Sequence, residues 1–277
     1  VPILLVSVLA LALIAWLIWQ PRLAARRRQR VATEPFPPAW RAIIRRRVPL
    51  AARLPATLQA QLRQHIQVFL AETPFIGCQG MVIDDEVRVT IAAQACLLLL
   101  NQPRGRFAWL RQVLVYPSAF AVDVSHVDPA GVVQSGRDWR AGESWQEGLV
   151  VLSWEDVLVG AADPGDGWNV VIHEFAHQLD AWAGVSAQAV EPEEAIGPDV
   201  IEPGGKWTPA MQAEYEALVQ QAQRLEASEL SNAALEPDGA ARGPFLDPYG
   251  ATDAAEFFAV VTEAFFEQGR ALADEHP

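Results

Sequence analysis

Cysteine is nearly absent, with two residues, Cys78 and Cys96, in 277. They share no metal-ligand spacing with the histidines, which argues against a thiolate metal site, and they read as small apolar residues of a reducing compartment. Positive charge is scarce over most of the chain. Residues 54–277 carry eleven basic and thirty-three acidic side chains, net −22, which excludes the basic face that a DNA or RNA role would need. Residues 1–53 hold the other ten basic side chains, all Arg, and a single acid; their +9 brings the whole chain to −13. Such a basic piece suits the anionic inner leaflet of a membrane.

Charge of either sign is missing from Ile3 to Trp19, where Leu, Ile, Val, Ala and Trp fill nearly every position. That run is long enough for a short membrane span, with Trp16 and Trp19 at its boundary end. Arg22, Arg26, Arg27, Arg28 and Arg30 follow it, the reverse of the order in a secretory signal peptide. The expectation is therefore an uncleaved transmembrane helix over residues 1–20, single-pass in a bacterial inner membrane, with the following domain on the cytoplasmic side. Residues 21–54 read as a basic linker, because Pro35, Pro37, Pro38 and Pro49 interrupt any long helix there. A folded domain takes up residues 55–277.

Histidine is rare too, five in the chain, yet two stand in the run His173, Glu174, Phe175, Ala176, His177. At 3.6 residues per turn both imidazoles share one helical face and can take adjacent corners of a zinc tetrahedron. Glu174 then lies beside the metal, where a general base for the attacking water belongs. Val171, Ile172, Phe175, Ala176 and Leu179 make the adjoining surface apolar, so the helix is expected to be buried and to end at Gly184. Asn169 can cap this helix or reach the metal from the same face; Asp180 can orient a ligand imidazole. His65 and His126 read as structural.

Helical periodicity extends over Thr57–Glu72, Asp84–Leu100 and Trp207–Leu230, and strand-like segments over Leu110–Tyr116, Phe120–Val127 and Gly131–Gln134. The strongest strand candidate, Leu149–Trp154, is either a sheet edge along which an extended peptide pairs or an ordinary core strand. Residues 185–206 and 232–248 read as loops. A last helix from Ala254 to Arg270 buries Phe257, Phe258, Val261, Phe265 and Phe266 and carries Glu256, Glu263 and Glu267 on another face. A catalytic zinc needs a third protein ligand, for which Glu256, Glu263 and Asp180 compete. Glu256 also has the spacing of a capping box with Asp253.

The HEFAHQLD run, the upstream FIGCQGMVIDDEVRVTIAAQA and VLVYPSAFAV stretches, GESWQEGLVVLSW and the closing YGATDAAEFFAVVTEAFF together resemble the Mlc titration factor A family of zinc metallopeptidases. That family is similar in turn to the catalytic domain of anthrax lethal factor. The resemblance implies an α+β, zincin-like domain of the gluzincin type, an HExxH helix beside a Glu-bearing helix. It implies one Zn²⁺ per chain held by His173, His177 and Glu256, with Glu174 as general base and Tyr249 as transition-state donor. The implied function is hydrolysis of a peptide or protein substrate by a zinc-activated water. The alternative is a regulatory protein that sequesters a transcriptional repressor such as Mlc, with zinc structural.

Overall fold

The computed structural model describes residues 2–102, 105–107, 109–127, 133–140, 142–145, 148–189, 208–232 and 245–276, some of them as backbone alone. Its first helix, α1 (Pro2–Thr33), runs unbroken through the apolar segment and the arginines that follow. The basic half packs on α4 (Ala56–Glu72), and Arg28 Nε donates to Glu72 across 2.6 Å. Among the described residues no helix is long and apolar enough to cross a membrane, so the anchor expected over residues 1–20 is not supported. The apolar run is the first part of a longer helix whose later turns dock on the domain.

The supposed linker is part of the domain. Pro38 opens α2 (Pro38–Arg47), Pro49 opens α3 (Pro49–Arg53), and Pro55 precedes α4. Proline is tolerated at a first helical position because the N–H it lacks has no intrahelical partner there. Phe36, Ile43, Val48 and Ala51 are buried in the main core, and Arg47 donates to Glu86 at the start of α5 (Asp85–Ala95).

The described residues are mostly helical, with a small four-stranded sheet. Strands β1 (Phe75–Gly77), β2 (Gln112–Tyr116) and β6 (Leu149–Ser153) are parallel, and β5 (Gly142–Trp145) joins β6 antiparallel. Val150 to Ser153 are all buried, as expected of a strand covered on both faces. β6 is therefore a core strand, and β5 is the outer strand on the metal-helix side. A separate hairpin pairs β3 (Phe120–Val127) with β4 (Val133–Arg140). β4 is longer than the expected Gly131–Gln134 because pairing runs the full length of β3; the side chain of His126 lies outside the described residues.

Helix α6 (Trp154–Ala162) leads to α7 (Val170–Ala189), which carries the two histidines and packs along β5 and β6. Phe175 points away from them into the core, with ring centroids 4.8 Å from Phe107 and 5.8 Å from Phe69. α7 does not stop at Gly184: Val185 to Ala189 continue it, since a glycine costs only about 1 kcal/mol inside a helix. Residues 190–206 and 233–244, within the two expected loops, lie outside the described residues, as does Trp207. After α8 (Pro209–Asn232), a 3₁₀ turn at Pro248–Ala251 delivers the chain into α9 (Ala254–Glu267), which packs against α7, and then α10 (Gly269–Glu275).

Candidate metal centre

The start of α7 is held by α9. Asn169 caps α7, its Oδ1 accepting from Ile172 N at 3.1 Å, while its own backbone N–H donates to Glu263 Oε1 at 2.6 Å. Its Nδ2 donates to Glu267 Oε1 at 3.0 Å and to the Gly160 carbonyl at 3.2 Å; Gly167 N donates to Glu267 Oε2 at 3.2 Å. Two acids one helical turn apart on α9 thus accept from the positively polarised entry to the histidine helix. Asn169 acts as cap and not as a ligand, because these bonds occupy its side chain.

Asp253 caps α9, accepting from Ala255 N and Glu256 N. The Glu256 carboxylate instead faces the histidines: Oε2 lies 2.9 Å from His173 Nε2 and 3.4 Å from His177 Nε2. Tetrahedral coordination at zinc–donor distances near 2.0–2.2 Å sets neighbouring donors about 3.3 Å apart, so this donor set fits one such ion. The three ligand atoms all lie within 4.8 Å of one another. Asp180, on the same helix, is not part of that set. Tyr249, at the turn before α9, donates from its hydroxyl to Glu256 Oε1 at 3.3 Å.

Glu263 takes an imidazole-orienting place behind His173. It is 3% exposed, and its Oε2 lies 3.0 Å from His173 Nδ1, which leaves Nε2 of that ring aimed at the centre. Burial pulls the pKa of His173 down, but its hydrogen bonds to Glu256 and Glu263 outweigh this and lift it to about 10. Burial likewise works to raise the pKa of Glu256, yet the two histidines hold it well below the usual carboxylate range. For Glu263 burial wins and the pKa is raised. Glu267, half-buried with Asp166 and Glu263 nearby, is pushed up to about 8 chiefly by loss of solvent.

Glu174 is buried on the face of α7 that meets β5. A Cβ on Gly142 would fall 2.6 Å from Glu174 Oε1 and 2.7 Å from Val170 Cγ2, so only glycine lets the strand approach this closely. Periodicity gave no notice of Gly142; its one sequence signal is a glycine opening a strand, which suggests close backbone approach.

Two imidazoles and a carboxylate converging on one point, with a buried Glu beside them, define a candidate metal centre of the metallopeptidase kind. Comparison with known sequences agrees: the chain belongs to the glucose-regulated metallo-peptidase M90 family, whose sequence pattern matches residues 23–277. It is 37% identical to an uncharacterized protein of Synechocystis over 276 residues, 99% of this chain and 92% of that one. It is also similar to proteins named Mlc titration factor A, at 30% identity over 231 residues in Salmonella agona and 31% over 230 in Klebsiella pneumoniae. Each of these two alignments covers 83% of this chain and 78% of the relative.

Proposed function

We propose that this protein is a zinc-dependent peptidase in which His173, His177 and Glu256 hold the metal, Glu174 is the general base and Tyr249 stabilises the transition state. The observation that carries this reading is the convergence of the two imidazoles and Glu256 Oε2, with the Tyr249 hydroxyl at the other oxygen of the same carboxylate. Two nitrogens and one oxygen are the donor types of a catalytic zinc. When bound, zinc supplies a Lewis acid that polarises a carbonyl and lowers the pKa of water toward about 7.

The chain's own residues do the rest. Glu263 accepts the Nδ1 proton of His173 and fixes the tautomer whose Nε2 lone pair is free to ligate. Glu174 accepts the proton of the attacking water and passes it to the leaving amine. Tyr249 donates a hydrogen bond to the carbonyl oxygen as it gains charge. An extended peptide adding to the outer edge of β5 would run beside the Glu174 carboxylate at Gly142, which supports a peptide as substrate.

Glu174→Gln tests the reading, because an amide keeps the shape and cannot take the proton. The variant should retain its metal by elemental analysis and lose about 10²-fold to 10⁴-fold in the rate of peptide cleavage. Unchanged turnover would remove Glu174 from the mechanism. A second reading, capture of a transcriptional repressor, draws its support from the name of the Salmonella and Klebsiella relatives. On that reading Glu174→Gln binds purified Mlc-type repressor as the native chain does, and a chain that binds none sinks it.

A further inference from the structure

Between α1, α4 and the segment before β2 lies a cleft of ≈ 350 Å³, within the size range of small-molecule sites. Its lining combines three guanidinium groups, Arg27, Arg28 and Arg106, with the rings of Phe69 and Phe107. Arg28 is neutralised by Glu72 at 2.6 Å. Arg27 and Arg106 have no ion pair among the described residues, so two positive charges remain uncompensated at the cleft. His65 also lines the wall, its ring bonded to the backbone of Gly105.

Charge sets this place apart from the rest of the molecule. The chain carries −13, so most of its surface repels anions, and the cleft opens on the helix where the arginines are concentrated. A small anion is therefore drawn here in preference to other parts of the surface. A carboxylate is satisfied by one guanidinium fork, whereas a phosphate presents several charged oxygens and can engage more than one. The aromatic rings offer contact for an attached carbon group.

From the convergence of Arg27, Arg28 and Arg106 on an aromatic-walled cleft, we infer that this protein has a second binding site, one for a phosphate-bearing ligand. The phosphate belongs either to a soluble monoester or to a lipid headgroup. None of the cleft residues belongs to the metal centre, so the inference stands apart from the peptidase reading.

The test uses the full chain, native beside the Arg27→Gln/Arg106→Gln double variant. Both side chains are exposed, and the two proteins should melt at the same temperature. Calorimetric titration with inorganic phosphate and with phenyl phosphate should show one saturable site per chain, weakened about tenfold or more in the variant. That result identifies a soluble ligand as the source. If the soluble probes do not bind, native protein should cosediment better with vesicles containing phosphatidylglycerol than with pure phosphatidylcholine. The variant should then lose the difference, which identifies a headgroup. Absence of both effects, or equal binding by the native and double-variant proteins, overturns the site.

Discussion

Among single residues the decisive distinction is between Glu256 and Glu263, two acids on one helix that both touch His173, at opposite ring nitrogens. Glu256 meets the nitrogen that faces the centre, and Glu263 the one that faces the core. Glu256→Ala should therefore abolish stoichiometric metal after dialysis, while Glu263→Ala leaves all three donors and weakens metal binding by about 10-fold to 100-fold. Competition with a graded series of chelators reads both values, and the opposite ranking would make Glu263 the ligand. The His-Glu-His set was legible in the sequence because helical periodicity puts residues four apart on one face. Local spacing left open which of three carboxylates completes it, since no local rule brings α9 to α7; only the family resemblance pointed to Glu256.

Two contacts between elements carry consequences that can be measured. Strand β5 reaches α7 only because residue 142 has no side chain. Gly142→Val should lower stability by about 1–3 kcal/mol, as overpacking does, and slow peptide cleavage by displacing Glu174, with metal retained. Native-like melting and turnover together would show that the strand shifts freely. The second contact is the clamp of Glu267 on the entry to α7. Its folded pKa of about 8 lies above the ordinary 4.5, so the folded state holds this proton more tightly than the unfolded one. That contribution to stability is complete below pH 4.5 and is lost as pH rises through about 8. Denaturant unfolding of Glu267→Gln should accordingly vary less between pH 5 and 8 than that of the native chain; an undiminished slope would place the proton elsewhere. Neither contact could be read from periodicity, because each joins elements distant in sequence.

At the scale of the whole molecule, residues 36–51 belong to the core and not to a tether. A chain lacking residues 1–20 should keep its fold, with Arg28 still on Glu72. One lacking residues 1–53 gives up the buried Phe36, Ile43 and Val48, a loss on the order of 5 kcal/mol at ordinary burial values, comparable to the stability of a whole domain. Melting of both truncations decides it: equal stability would restore the linker. Several elements were legible in advance. The helices α4, α5 and α8, the strand β6 and the histidine pair all follow from local spacing, which the chain carries in its own order of residues. By itself the sequence determined several of the helices and strands, where the charge lies, and that His173, Glu174 and His177 share a helical face. Tertiary structure alone decided that prolines 38 and 49 begin packed helices and Pro55 precedes another, that β5 is the outer strand, that Glu256 and Glu263 divide the two nitrogens of His173, and that three arginines line one cleft with Phe69 and Phe107. The physical reason is common to all four: local spacing specifies direction around a single axis, whereas these outcomes depend on which axes pack together and at what separation.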